Sequence, residues 1–260
     1  MSEESQERVD EVSRYYSQAA QLELIGTCFF WINAFLSLSV IFSEALPSTL
    51  QSLIPLIFIS FVLIQFVISQ INRFYLIPQA ERMRRKQMLS NAFSTPLSHD
   101  KTSLYYNNDY PPSIKRLGAN IMENALFSSE VVAKILVLKR RCIGVYLVIW
   151  WVLAFSSASL DVIIWIIQII FSSEIIVQWF SLEILHRRQK HIYEELHTHF
   201  LHKTGDNSPG AIATILDSFA SYESAKSSAS CLLSTKVFNK LNPKLTKKWE
   251  QVRNELKMNF

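Results

Sequence analysis

Two long segments of this 260-residue sequence contain no lysine or arginine. One lies between Arg14 and Arg73, and the other lies between Arg141 and Arg187. Charged residues cover one face of most elements in soluble proteins, so cation-free segments of this length are unusual there. A large soluble bundle with buried core helices is therefore disfavoured.

Glycine and cysteine are also scarce. The five glycines form neither a GxGxxG nor a complete P-loop (GxxxxGK[ST]) phosphate cradle, and HExxH, CxxC and GxSxG are absent. The three cysteines, Cys28, Cys142 and Cys231, do not form a disulfide framework. We therefore expect no enzymatic activity and no cofactor. A ligand held by side chains is not excluded.

Four apolar runs lie within the cation-free segments. They are Leu24–Phe42, Leu50–Ile71, Cys142–Phe155 extended by Ser156–Leu160, and Val162–Leu182. Each has about 20 residues, enough to cross a hydrocarbon core of about 30 Å as a helix. The sequence therefore predicts an all-α membrane protein with four transmembrane helices in two hairpins and helical cytoplasmic segments.

The cations also predict the topology. All 26 lysines and arginines lie outside the two short turns that join the paired runs. The positive-inside rule then places both termini and the central segment in the cytoplasm. The first residues are acidic and polar, so we expect no cleavable signal peptide. The expected parts are an amphipathic helix (1–21), a first hairpin (22–72), a cytoplasmic helical segment (73–140), a second hairpin (141–183), and a cytoplasmic stalk with C-terminal helices (184–260).

Within the central segment we expect a helix at Arg73–Phe93, with Pro78 as its candidate kink, and a polar loop at Ser94–Pro112. The next helix then runs on towards the third span. Near the C-terminus, Pro243 is expected to begin a last short helix.

The fourth span is expected to continue as a helical stalk that ends at Gly205 and can pair with a neighbouring subunit. An approximate heptad stripe supports this, formed by Leu185, Gln189, Ile192, Leu196 and His199. A second stripe on this helix carries possible metal ligands, namely His191, Glu195, His199 and His202. A solvated face is the commoner meaning of such a pattern, and we predict no metal site.

Polar residues within the fourth span have two interpretations. An ionisable group at that depth, Glu174, is costly unless it faces protein, water or a partner. It shares one helical face with Gln178 and Ser181, while Gln168 and Ser172 share another. In the first interpretation, one of these stripes lines a water-filled pathway or gate in an oligomer. In the second, the polar residues join helices by hydrogen bonds.

A basic cluster with nearby aromatic residues is the candidate ligand site. Its positive charge and planar guanidinium groups suit an anionic ligand such as a nucleotide. The alternative is a positive anchor beside the membrane. The residues are Arg82, Arg84, Arg85, Lys86, Tyr105, Tyr106 and Arg116.

Three regions resemble the SMODS-associated four-transmembrane effector family. The central one is Tyr105-Tyr106-Asn107-Asn108, Pro111, Arg116-Leu117, Ala119-Asn120, Glu123-Asn124 and Phe127-Ser128. The others are Tyr15–Ala20 and Tyr222–Trp249. This chain departs from the family pattern at Ser230-Cys231-Leu232, where a Pro-containing turn is usual.

The resemblance implies an effector of bacterial anti-phage defence in the inner membrane. A cyclic nucleotide second messenger from a separate synthase would activate it, and it would permeabilise the membrane as a homo-oligomer. We expect the lipid bilayer as a partner and no nucleic acid duplex. The competing hypothesis is a non-conducting sensor or scaffold that recruits a soluble protein. A small transporter is disfavoured because broken spans and an inverted repeat are not evident.

Overall fold

The computed structural model describes residues 9–41, 47–103, 105–108, 110–155, 175–202 and 208–258, and these are mostly helical. The helices are α1 (Ser13–Ile41), α2 (Ser48–Ile71), α3 (Ile77–Phe93), α4 (Ile114–Phe155), α5 (Ile175–Leu201), α6 (Pro209–Ala229) and α7 (Thr235–Glu255). A π-helical turn, Asn72–Leu76, joins α2 to α3. Strands β1 (Val9–Asp10) and β2 (Thr102–Ser103) form a short antiparallel pair.

One helix among the described residues is long and apolar enough to cross a membrane. It is Leu53–Phe93, whose most apolar 18-residue window has a mean hydropathy of 2.3. None of that window is buried inside the protein. Residues 162–174, which are most of the predicted fourth span, lie outside the described residues. All or part of each outer turn also lies outside them.

The apolar parts of α1, α2 and α4 carry large side chains on their outer surfaces. Phe35 is 71% exposed on α1, Leu63 is 60% exposed on α2, and Val148 is 63% exposed on α4. A soluble protein rarely leaves contiguous apolar surface of this kind in water. These three segments therefore need a non-aqueous environment or a partner surface.

A separate, buried core joins the more polar parts of the chain. It lies where α4 packs against α3, α5, α6 and α7, and its largest buried side chain is Trp249. Gly118 on α4 allows this close packing, because a Cβ there would lie 3.1 Å from Phe200 and 3.2 Å from Ile215. The core thus forms from residues within 73–140 and 184–260, the two segments between and after the predicted hairpins.

Most of the α5 stripe predicted to form a stalk is buried inside the chain, in this core and in a second cluster that contains Leu185. Leu185, Gln189, Ile192 and Leu196 are all less than 5% exposed, and α5 packs along α4 and α6 of the same chain. The continuation of the helix beyond the fourth apolar run is as predicted. Its heptad face, however, is already occupied within the chain. The predicted end at Gly205 lies outside the described residues.

Two predicted boundaries are wrong. The N-terminal helix begins only at Ser13, because the preceding residues pair with β2 as strand β1. Pro243 lies inside α7 and does not begin it. Ser234 caps that helix, since its hydroxyl accepts from the N–H of Val237 at 3.4 Å, which fixes the start two turns before the proline.

The π-helical turn explains how one helix continues past Pro78. Proline has no N–H, so a regular helix would leave the carbonyl of Phe74 without its usual donor. In the wider turn the N–H of Ile77 donates to the carbonyl of Asn72. The side chain of Asn72 is buried and donates to the Ala19 carbonyl at 3.1 Å. This bond fixes the junction of α2 and α3 against α1.

Candidate functional site

The loop between α3 and α4 is held on the core by Asn107. Its N–H donates to Glu123 at 3.1 Å, and its side-chain amide donates to the same carboxylate. Its carbonyl accepts from Trp249 at 3.2 Å and from Arg253 at 2.9 Å. Glu123 is only 3% exposed, so one loop residue joins the loop to α4 and α7 in a buried network.

A second polar chain lies beside the first. The amide of Asn108 donates to Asn120, and the amide of Asn120 donates to Asn91 on α3 at 3.0 Å. Asn108 and Asn120 are both buried. Buried polar networks of this kind favour one conformation, because any misplacement leaves an unpaired polar group. The motif residues of the central region therefore position the loop.

The fixed loop brings Tyr105 to Arg84. The Arg84 guanidinium lies 4.2 Å from the centre of the Tyr105 ring and 5.6 Å from that of Tyr16 on α1. Both distances are within the range of cation–π attraction. Nη2 of Arg84 donates to Asp10 at 2.8 Å. The Arg84 side chain is 12% exposed, and the buried Nη1 has no hydrogen-bond partner among the described residues.

Charged residues of α3 and α6 adjoin Arg84. Arg85 pairs with Glu223 at 3.3 Å, and Glu81 is nearly buried at 9% exposure. Burial, with the nearby Glu223, raises the pKa of Glu81, although Lys226 and Arg85 act to lower it. Burial likewise raises the pKa of Tyr222, which keeps its phenol neutral. We call Tyr16, Glu81, Arg84, Tyr105, Tyr222, Glu223 and Lys226 the junction cluster.

The junction cluster has the electrostatics of a site with restricted access to water. Burial raises the pKa of Cys231, at its edge, to about 12, with smaller contributions from Glu81 and Glu23. A thiol held neutral in this way is a poor nucleophile. The buried guanidinium of Arg84 is therefore the group of this cluster best suited to binding an anion.

The structure brings only some of the predicted ligand residues together. Arg84 and Tyr105 are in contact, and the Tyr106 ring adjoins that of Tyr105 at 4.9 Å but packs on the core. Arg82 is exposed and Lys86 is half-buried. Arg85 is engaged by Glu223.

Arg116, in the first turn of α4, lies beside the C-terminal end of α3. The hydroxyl of Ser113 accepts from the Arg116 N–H at 3.2 Å, and the Ser113 N–H donates to the Ala92 carbonyl at 3.0 Å. At 1.5 Å per residue, Ala92 is roughly 12 Å from Arg84 along α3. Arg116 therefore lies with the contacts that hold the end of the loop, and not beside Arg84.

Two of the proposed pathway residues lie in the described part of α5. Gln178 accepts from Lys139 on α4 at 3.0 Å, and Ser181 is half-buried. Arg140 and Trp179 both donate to Glu183 nearby, at 2.6 Å and 3.1 Å. The contact of Gln178 is therefore a hydrogen bond between α4 and α5. Glu174, Gln168 and Ser172 lie outside the described residues.

Sequence reasoning missed several members of the site. Asp10 and Tyr16 were assigned to an amphipathic helix, and only tertiary packing brings them to Arg84. It also missed the amide of Asn33, which donates to Gln65 at 2.7 Å between α1 and α2. Two polar residues inside facing apolar runs were the available signal for that pair.

Across the residues that the structure describes, no group of three or more His, Cys, Asp or Glu side chains can hold a metal ion. Comparison with protein-family models, with curated proteins and with solved structures finds no match to this chain. The interpretation of the site therefore depends on its own geometry.

Proposed function

We propose that this protein is a multi-pass effector of the bacterial inner membrane that responds to a cytoplasmic nucleotide. In this proposal four spans form two hairpins, with both termini and the core in the cytoplasm. Binding of a cyclic nucleotide from a separate synthase leads an oligomer to permeabilise the membrane in anti-phage defence. The family resemblance in the sequence supplies the defence role and the class of ligand.

One observation carries the proposal, namely the setting of Arg84. Its guanidinium is held between two tyrosine rings, and the buried Nη1 has no partner among the described residues. Guanidinium groups bind phosphate through two parallel N–H bonds, either from both terminal nitrogens or from Nε and one terminal nitrogen. Arg84 has already committed Nη2 to Asp10, and a phosphate can engage both nitrogens.

The position of the cluster supports transmission of a signal to the membrane. Tyr16 belongs to the same helix as the exposed Phe35, and Arg84 belongs to the continuous helix that contains the candidate span. Ligand contacts at this point therefore act on two helices with apolar outer segments. Such contacts change the balance of two conformations only if they differ between them.

The exposed aromatic residues at the π-helical turn support the membrane boundary of the proposal. Phe74 is 72% exposed and Tyr75 is 64% exposed, and aromatic residues are enriched where a span meets the headgroups. Arg73 adjoins them, as the positive-inside rule expects. These residues support a boundary beside the turn, and in this proposal Arg84 then lies on the cytoplasmic side.

The test is depolarisation of bacterial cells that express the full-length chain. Cells are made permeable to a panel of synthetic cyclic dinucleotides and trinucleotides, and a potential-sensitive dye is recorded. We expect at least one compound to depolarise the membrane with the native chain. Arg84→Met should abolish the response, whereas Lys190→Met, on the exposed face of α5, should retain it.

Failure of every compound to depolarise the membrane would contradict the effector function. A response that Arg84→Met leaves unchanged would place the ligand elsewhere. If the membrane stays polarised and a soluble protein co-purifies through the core, the scaffold hypothesis replaces this one.

A further inference from the structure

Strand β1 brings an acidic side chain from the beginning of the described chain onto Arg84. Val9 pairs with Ser103 and Asp10 pairs with Thr102, and this register directs the Asp10 carboxylate to the guanidinium at 2.8 Å. The Asp10 side chain is 21% exposed and that of Arg84 is 12% exposed. The contact is therefore a largely buried ion pair between the N-terminal segment and α3.

The other polar contacts of this segment each include an exposed residue. Arg14 is 61% exposed where it meets the buried Asp100 at 2.5 Å, and exposed Glu11 exchanges backbone and side-chain bonds with Lys101. Solvent-exposed pairs contribute about 0–1 kcal/mol each, and a strand pair of this length is marginal by itself. Strand β1 is therefore held by the Asp10–Arg84 pair together with Val12, whose side chain is fully buried.

The buried pair is itself incomplete. Oδ1 of Asp10 and Nη1 of Arg84 are both buried, and neither has a hydrogen-bond partner among the described residues. Buried charges are stable only when their remaining donors and acceptors are satisfied. A phosphodiester has two unesterified oxygens and can accept from Nη1 and Nη2 together, which Asp10 does not do here.

We propose that Asp10 is an internal competitor for Arg84, and that a nucleotide phosphate displaces it and releases strand β1. The inference rests on the ligand site proposed above and adds its regulation. Because α1 begins at Ser13, release of Asp10 removes one restraint on the end of an apolar helix, while the buried Val12 and the Asn72–Ala19 bond remain. The ion pair thus keeps the unliganded chain in one conformation, and the ligand removes that restraint.

A soluble nucleotide fits the position of this site better than a lipid headgroup does. Arg84 lies roughly 14 Å beyond Tyr75, at 1.5 Å per residue along the helix. The headgroup region on each side of a bilayer is only about 5–7 Å thick. With the boundary beside Tyr75, the site lies deeper in the cytoplasm than the phosphates of the bilayer.

The test uses the full-length protein in phosphatidylcholine nanodiscs. Cyclic diadenylate and inorganic pyrophosphate are titrated at constant ionic strength, and binding is measured together with hydrogen exchange of the amides of residues 9–12. We expect probe binding to accelerate exchange in the native chain. Asp10→Asn should exchange rapidly without a probe and bind at least about tenfold more tightly, because a larger fraction of the protein is competent to bind.

Two controls isolate the Asp10 contact. Glu130→Gln removes one negative charge from an exposed site on α4 and should leave the affinity within about twofold, since distant exposed charges are screened. Arg84→Met should lose probe binding and the probe-dependent change in exchange. Its thermal midpoint, measured in parallel, verifies that the variant is folded.

The proposal is overturned if neither probe binds Asp10→Asn, or if this variant binds no more tightly than Glu130→Gln. It is also overturned if the native chain binds a probe with no change in exchange at residues 9–12. Release of β1 by phosphatidylglycerol nanodiscs alone would assign the anion to the membrane and refute a soluble ligand.

These outcomes are separate from failure of the effector function. If Asp10→Asn binds more tightly but no nucleotide depolarises the membrane, the competitor stands and the effector function fails. If a nucleotide depolarises the membrane and Asp10→Asn needs the same concentration as the native chain, the function stands and the competitor fails.

Discussion

Replacement of Glu123 by alanine should release the loop that carries Tyr105. Glu123 accepts at least two bonds from Asn107, one of them at 3.1 Å, and is 3% exposed. A hydrogen bond to a charged group contributes about 1.5–3 kcal/mol. Loss of two therefore costs about 3 kcal/mol or more, which at 1.4 kcal/mol per tenfold is about a 100-fold increase in loop opening.

Limited proteolysis measures this opening. Trypsin cleaves after Lys101, an exposed loop residue whose N–H donates to Glu11 at 2.6 Å, and the rate follows the open population when the loop recloses quickly. Cleavage after Lys190 on α5, in the same sample of the full-length chain in nanodiscs, reports unfolding of the core. We expect cleavage at Lys101 to accelerate about 100-fold and cleavage at Lys190 to change much less.

Glu130→Ala is a matched control on the same helix. Glu130 pairs with Lys248 at 2.5 Å, but the two side chains are 41% and 48% exposed. Such a pair contributes at most about 1 kcal/mol, which corresponds to less than about a sixfold change in rate. If Glu123→Ala accelerates cleavage no more than Glu130→Ala does, the network of Asn107 does not hold the loop.

Three further predictions concern other buried polar groups. Asn33→Leu leaves Gln65 without the 2.7 Å bond and should lower the stability of the full-length chain in detergent by about 1–2 kcal/mol; a double replacement with Gln65→Leu that costs as much would contradict this. Gln189→Leu should raise the thermal midpoint, by about 1 kcal/mol of stability, because both amide atoms are buried without a partner among the described residues; a lower midpoint would show that the amide is bonded. Glu81 has a raised pKa, so its contribution to stability is complete below its ordinary value of 4.5 and is lost as the pH rises through the raised pKa. The difference in unfolding free energy, Glu81→Gln minus native, should therefore increase with pH above about 4.5, and a difference that is constant or falls would refute the burial effect.

Local pattern predicted most of the helical segments. Pro111 and Pro112 precede α4, whose apolar stripe through Leu117 and Ile121 is buried. Periodicity works here because a helix that packs on a core must place apolar residues on one face. The boundaries failed where a local rule met a specific contact. Pro243 is tolerated inside α7, and Val9–Asp10 form a strand because β2 lies alongside.

The candidate site could be predicted only in part, because its members come from distant parts of the chain. The basic cluster and Tyr105 were identifiable from charge and aromatic content. Which of these residues form the site was not identifiable from sequence. Arg84 and Arg85 are adjacent in the chain, but Arg84 contacts Tyr105 and Arg85 contacts Glu223. Adjacent residues on a helix point about 100° apart, so packing decides which of them faces the loop.

The sequence by itself determined the apolar segments, the confinement of positive charge and the mainly helical structure. These properties depend on residue type and on spacing along the chain, and the helix period and bilayer thickness convert them directly into structure. Only the tertiary structure decided that α5 buries its heptad face in its own chain, and that Asp10 occupies Arg84. Both outcomes depend on contacts between residues far apart in sequence, and no local period encodes which partner will fill a given face.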